Sequence, residues 1–358
     1  MKGTIFMHIY LLYGGKSAEH DVSIISAYHI LQEIYYNYYE VTPVYITMAG
    51  QWFQGSAIHE KEQVPSIGEL RKVAETGTPF DLNSLHEEEC VVFPVLHGPN
   101  GEDGTIQGLL EMLAVPYVGA GVLPSAAGMD KIMSKILFKE AGIPILPFVA
   151  IHPAYWETSP QDVMDKVEKE LAYPYYVKPA NLGSSVGISE VHSREELEEA
   201  IELAFEYDHR VLVEQGIYAR EVEVAVLGNE DVNTSVVGEL VKETQFYDYE
   251  SKYVNNEVTL QIPADLSAQA STKIREYAAK AFMAIDGNGL SRADFFVTNE
   301  EEIFINELNT FPGFTPISMY PKLWEATGLA YGDLIEELIQ LALKRFKMRQ
   351  ARYGKARN

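Results

Sequence analysis

Two alternating runs, RADFFVT and EIFINELN, are separated only by NEE, and this spacing constrains the fold more than any other stretch of the chain. A short polar link between two such runs suits a hairpin turn. With the turn centred near Asn299–Glu302, Asp294 lies across from Glu307 and Arg292 across from Asn309. Side chains two apart on a strand share a face, so these four share one. The opposite face holds Phe295, Val297, Ile305 and, in part, Leu308. Patterning alone fits a solvated charged face as well as a metal site. Asp, Glu and Asn supply the hard oxygen donors that Mg²⁺ takes, with phosphate oxygens completing the shell. NTFPGFTPIS follows directly, and its Pro312-Gly313 turn frees backbone N–H groups beside the acidic strand. With Arg292 as a fixed cation, that corner would bind a carboxylate and stabilise an oxyanion.

The rest of the 358-residue chain is long enough for two or three packed units. Its first third alternates β-rich runs (HIYLLYGG, VTPVYIT, CVVFPVL, VPYVGAG) with helical patterns over Ser17–Ile34 and Thr105–Leu113, which predicts a parallel sheet with helices on its faces. A helix is expected over Ser125–Ala141, N-capped by Ser125, closed by Gly142 and stopped by Pro144. The middle is strand-rich: PYYVKPA, ISEVHS and RVLVEQGI, with an acidic helix over Arg194–Phe205. EVEVAVLGN and VVGEL then alternate as strands, and helices are expected over Ala268–Ala284 and Gly332–Leu343. The basic end, KRFKMRQARYGKARN, is expected to complement a helix C-terminus and then fray.

Net charge is -24, from 28 basic and 52 acidic residues, which argues against non-specific binding to nucleic acid or an anionic membrane. An anionic substrate would need local cations. KPANLGSSVG offers one: Lys178 ends a strand, and the small residues after it let backbone N–H groups approach phosphate. Alone, the loop reads equally as a Gly-rich hairpin tip. Glu214 ends the next strand, where it and the backbone beyond would meet the hydrogen-bonding edge of a base; Glu221 would take ribose hydroxyls. In YGGKSAEHDVS, Glu19 falls in a first helical turn, either as a dipole complement or as an anchor for a substrate ammonium. HGPNGEDGTIQG, from His97, is a similar strand-to-loop-to-helix element, and both lie where open α/β sheets bind ligands. The single cysteine, Cys90, excludes an internal disulfide, suits the reducing cytoplasm and reads as a buried strand residue. No apolar stretch reaches the ~18 residues of a membrane span, and the N-terminal apolar run reads as a first strand. No G-x-G-x-x-G follows that strand, which argues against a nicotinamide dehydrogenase.

In order along the chain, GGKSAEHDVS, HGPNGEDGTIQG, MDKIMSK, VKPANLGSSVGI, FYDYESKY, SRADFFV and INELNTFPGFTPISMYP resemble the D-alanine–D-alanine ligase family of ATP-grasp carboxylate–amine ligases. The resemblance runs from about Tyr13 to Leu343. It implies an α/β fold, with α+β character towards the C-terminus: a parallel-sheet substrate domain over 1–124, a central ATP-grasp subdomain over 125–216, and a C-terminal domain over 217–358 with a lid and the metal hairpin. By the same resemblance Lys131 and Lys178 hold ATP phosphates, and Ser185, Glu214, Gln215, Ile217 and Glu221 complete the nucleotide site. Asp294, Glu307 and Asn309 hold two Mg²⁺ (or Mn²⁺) ions. Glu19 anchors the ammonium of the first D-alanine, and Ser184 links Glu19 to Tyr253 in a lid over Thr244–Val254. Arg292 and the Gly313 backbone form the oxyanion site. Lys252 and Ser318 hold the second D-alanine's carboxylate, Met319 is a further substrate residue, and His97 lines the pocket. Met319 replaces a frequent Leu, a size-conserving change, and Ile317 stands where some members carry His. Tyr253 favours D-alanine over D-lactate as second substrate. A cytoplasmic homodimer that binds neither nucleic acid nor membrane is implied. The competing readings are a D-alanine–D-lactate ligase, another ATP-grasp ligase joining different small acids, and a non-catalytic nucleotide-binding module.

Overall fold

The computed structural model describes residues 7–86, 89–183, 185–242 and 258–356. Three sheets organise them. In the first, β1 (Met7–Gly14), β2 (Tyr39–Ile46) and β5 (Cys90–Val95) are parallel, and β3 (Trp52–Gln54) and β4 (Thr78–Pro79) extend one edge antiparallel. The run MHIYLLYG is apolar on both faces because both faces are covered, as parallel sheets require. Ile9, Leu11 and Tyr13 meet Ile24, Ala27 and Ile30 of the helix His20–Glu33, while Tyr10 and Leu12 share a second cluster with Ile106 and Leu110 of the helix Thr105–Met112.

The second sheet has the order β6 (Phe148–Ile151), β9 (Val211–Gln215), β7 (Tyr175–Pro179), β8 (Ser189–Val191), all antiparallel. Val177, Val211 and Val213 pack on the helices Pro160–Glu170 and Arg194–Tyr207. Alternation then turns Lys178, Leu212 and Glu214 to the other face, where Leu212 and Ala180 meet Ile132.

The third sheet orders β12 (Val258–Gln261), β11 (Val232–Lys242), β10 (Arg220–Gly228), β13 (Gly289–Val297) and β14 (Ile303–Asn309), again antiparallel. Val222, Val224, Ala293, Phe295 and Ile305 bury one face against the helix Ala268–Ala284. The other face changes character along the strands. Leu227 and Leu290 pair under the apolar residues of the last two helices, Met319–Thr327 and Tyr331–Ala356. Further along, Glu223 pairs with Asp294 and opens on a cleft.

Two expectations are corrected. The helix expected over Ser125–Ala141 is two helices, Val122–Met129 and Lys131–Glu140. Ser125 is buried inside the first, and the N-cap is Asp130, whose extended backbone breaks the run and whose carboxylate accepts from the Ile132 and Met133 amides at 3.0 and 2.9 Å. Gly142 does take the left-handed conformation after the second helix, at φ 68°. The basic end does not fray after Leu343, because its helix runs to Ala356. Arg345 donates to the Gly119 and Tyr117 carbonyls and lies 4.4 Å from the Tyr117 ring centroid, and Arg349 pairs with Glu111. These arginines tie the end of the chain to the first third. Arg345→Ala therefore strands two carbonyls and a ring contact, and urea denaturation should show a loss of about 2–4 kcal/mol; a change below ~0.5 kcal/mol would mean the tether carries no stability.

Candidate active site

A cleft of about 490 Å³ separates the second sheet from the third. Lys131, Lys178, Ser185, Glu214, Gln215 and Ile217 lie on its lining, and from the third sheet so do Glu221, Arg292, Asp294 and Glu307. Residues spread over 131–307 are thus brought to one cavity. Arg292 donates through Nε and Nη2 to both Asp294 oxygens at 2.7 Å, and its Nε lies 3.0 Å from Glu223. Burial alone would make that guanidinium less basic, but Asp294 and Glu223 outweigh it and keep Arg292 charged. Lys131 donates to the Leu182 carbonyl at 2.6 Å and lies 3.4 Å from Glu307. Cationic side chains therefore sit against both carboxylates of the hairpin.

Register fixes this corner. Arg292 pairs with Asn309 and Asp294 with Glu307, as the hairpin spacing predicts, but through a bulge: from the turn, Val297 pairs with Ile303 and Phe295 with Ile305 before the count shifts. The extra residue, Asn306, joins Glu307 on the cleft lining while Ile305 and Leu308 stay in the core. Asn309 Oδ1 accepts from the Phe311 amide at 3.0 Å. Two carboxylates and an amide oxygen at one strand end suit a hard divalent cation. Among the described residues no group of three or more His, Cys, Asp or Glu side chains converges as a ready metal cage, so phosphate or water would have to complete any shell.

Glu214 has side-chain partners beyond its expected role. It is 1% exposed, with Lys135 against Oε1 and Lys178 on Oε2 at 2.6 Å. Burial would raise its pKa, but the two lysines hold it below the usual carboxylate range. The carboxylate therefore binds lysines first, and a base would meet it already neutralised. Gln215 likewise uses its side chain on Ala172, donating to the carbonyl and accepting from the amide, and its own amide donates to the Pro147 carbonyl at 2.9 Å.

A second cluster surrounds His97. Its ring is 3% exposed, with Nε2 at 3.1 Å from Ser26 Oγ and Nδ1 at 3.3 Å from the Phe311 carbonyl and 3.7 Å from Glu102. A Cβ on Gly98, which sits at φ 73°, would lie 2.8 Å from a Glu19 carboxylate oxygen, so this glycine lets Glu19 pack against the loop. Glu19, His97 and Glu102 do not line the cleft of the first cluster; they meet the third sheet where Phe311 follows β14. Burial, reinforced by Glu19, raises the Glu102 pKa; burial opposes protonation of His97, but Glu102 and Glu19 win and raise it. Ser318 Oγ accepts from the Thr315 amide at 3.2 Å and would stand 3.2 Å from a Cβ on Gly313, so these two expected residues share one turn. Met319 is 5% exposed and belongs to the core rather than to the cleft, because the helix it starts turns it inward against Gly238. Ser184, Lys252 and Tyr253 lie outside the described residues.

The sequence reading missed Lys135, Glu223 and Glu102. Lys135 stands four residues after Lys131 and so shares its helix face. Glu223 stands two after Glu221 and shares its strand face. Only Glu102 lacks a periodic signal, since it reaches Gly98 and His97 from within a loop.

Two antiparallel sheets closing on a cleft with lysines on one wall and an Arg–Asp–Glu hairpin on the other are the architecture of an ATP-grasp ligase. A family model described as the D-ala D-ala ligase C-terminus matches residues 137–340, and one described as its N-terminus matches 8–120. The D-alanine--D-alanine ligase of Enterococcus faecalis is 56% identical over 348 residues, 95% of this chain and 100% of that protein, and that of Bacillus cytotoxicus is 50% identical over 351 residues, 95% and 96%. The VanG D-Ala:D-Ser ligase of Enterococcus faecalis superimposes with a TM-score of 0.84 at 35% identity, covering 94% of this chain and all of that one. The D-alanine-D-alanine ligase of Coxiella burnetii gives 0.83 at 34% identity, covering 98% and 99%. The chain belongs to the D-alanine–D-alanine ligase family.

The His97 cluster yields its own expectation. Glu102→Gln removes the group that raises the His97 pKa, so NMR titration of the ring should show it falling. A ring pKa that stays or rises would assign the elevation elsewhere.

Proposed function

We infer that this protein joins two D-alanines in an ATP-dependent reaction to give D-alanyl-D-alanine for cell-wall precursor synthesis. The observation that carries this reading is the cleft that gathers Lys131, Lys178, Arg292, Asp294 and Glu307 in a chain of this family. The carboxylate of the first D-alanine attacks the γ-phosphate and releases ADP, leaving a D-alanyl phosphate. The amine of the second attacks its acyl carbon, and the tetrahedral adduct expels phosphate.

The residues divide this work by charge. Lys131 and Lys178 meet the nucleotide phosphates, where positioning and charge neutralisation supply most of the catalysis. The Gln215 and Ile217 main chain and Glu214 meet the base, Glu221 the ribose, and Ser185 its loop side. Asp294, Glu307 and Asn309 would hold two Mg²⁺ or Mn²⁺ ions, which neutralise phosphate charge when bound. Glu19 receives the ammonium of the first D-alanine beside His97. Arg292, fixed by Asp294 and Glu223, and the Gly313 backbone receive the developing oxyanion. Ser318 and Lys252 hold the second carboxylate. Ser184 and Tyr253 close a lid that keeps water from the acyl phosphate. Met319 supports this region from the core.

The functional parts divide near residues 124 and 216, so that nucleotide binds between the second and third. Among the described residues no helix is long and apolar enough to cross a membrane. The lone cysteine fits a reducing cytoplasm. Exposed apolar side chains on three successive helices, at Met112, Leu123, Met133 and Ile136, fit a homodimer contact.

Phosphate release should require ATP, Mg²⁺ and D-alanine together, with D-alanyl-D-alanine forming in equal amount. L-alanine should not substitute. D-lactate or D-serine supplied beside D-alanine should give little mixed product. Release that ignores D-alanine would contradict the assignment, and a preferred mixed product would move the chain to a different second substrate.

A further inference from the structure

Lys135 has no part in the reaction as described, yet it is 0% exposed, which is rare for a lysine. It rises from the helix Lys131–Glu140, one turn beyond Lys131, and its ammonium contacts Glu214 Oε1. Glu214 Oε2 accepts from Lys178 at 2.6 Å. Lys178 and Glu214 line the cleft, and Lys135 does not. Two ammoniums thus share one carboxylate, leaving one surplus positive charge in a low-dielectric wall. Without Lys135, the trio would shrink to a neutral Lys178–Glu214 pair, and a buried pair at this distance holds its partners strongly.

We propose that Lys135 is a positioning residue for the nucleotide: it neutralises Glu214 from behind the cleft wall, so that Lys178 turns uncompensated charge on the phosphates. The proposal rests on the reading of this cleft as the ATP site. Burial lowers the Lys135 pKa on balance, with Glu214 opposing the change, and Lys135 and Lys178 keep Glu214 ionised despite its burial. The arrangement also explains why Glu214 can stand beside a phosphate-binding lysine without cancelling it.

Calorimetric binding of a non-hydrolysable ATP analogue and of adenosine tests this in the wild type, Lys135→Met and Lys135→Met/Glu214→Gln. Lys135→Met should weaken the ATP analogue by about tenfold or more, the scale of one charge-assisted contact. Adenosine, which has no phosphate, should change by less than about twofold on the same scale. The added Glu214→Gln keeps a side-chain acceptor but frees Lys178, so most of the lost affinity should return. A purely structural lysine would weaken both ligands alike, and the second substitution would deepen the loss. Unchanged analogue affinity in folded Lys135→Met, equal losses for the two ligands, or no recovery in the double variant overturns the proposal. Circular dichroism reports folding; if Lys135→Met does not fold, Lys135→Gln, which removes the charge but keeps a donor to Glu214, takes its place under the same criteria. A wild type that binds no ATP analogue would instead overturn the reading of the cleft.

Discussion

The bulge at Asn306 is the constraint on which the acidic corner of the cleft depends. Ile305 and Glu307 are two residues apart, and in a regular strand they would share a face. Ile305 is buried in the core against the helix Ala268–Ala284, so regular pairing would drag the Glu307 carboxylate into that core or lift Ile305 out of it. The extra residue resolves the conflict: Asp294, paired with Glu307, keeps its carboxylate on the cleft side, and Ile305 and Leu308 both remain buried. Burying one large aliphatic side chain stabilises by about 1.5–3 kcal/mol. Burying an unpaired carboxylate costs more than that. The balance selects the bulged register.

From that corner the charges of the molecule organise themselves into two clusters. The cleft gathers Lys131, Lys178 and Arg292, with Lys135 behind its wall, in a chain whose net charge is -24. Each is held by a carboxylate, and removing one partner from such a buried pair typically costs about 3–5 kcal/mol. The His97 cluster instead sets Glu19 and Glu102 around one imidazole. Lysines and an arginine set among carboxylates suit phosphates carried with divalent cations, and an acidic pocket suits an ammonium. Phe311, two residues after Asn309, touches the His97 ring, so the strand that ends one cluster begins the other.

Alternation made much of this legible. RADFFVT and EIFINELN show their shared polar face because a strand repeats every two residues, but Ile305 stands on the opposite face from Glu307 only through the bulge, which strict alternation does not reveal. The parallel first sheet followed from apolar runs spaced by helical patterns. The break at Asp130 was hidden because Ser125 is an equally acceptable cap and because the deciding contact, the Lys131 amide on the Ala180 carbonyl, is long-range. The basic end looked like a frayed tail because its arginines find their partners in Tyr117, Gly119 and Glu111, more than two hundred residues earlier. Glu214 ends its strand on the cleft as its position suggests, but Lys135, which engages it, stands on a different element and leaves no local signal.

The most direct measurement is the stoichiometry of Mn²⁺ binding, by electron paramagnetic resonance, with ADP present. The account predicts two ions per wild-type chain, and fewer, more weakly held ions in Glu307→Gln, whose bulged position exists to present that carboxylate. Identical binding in the two proteins would contradict it, because the acidic face of the hairpin would then not be the metal site.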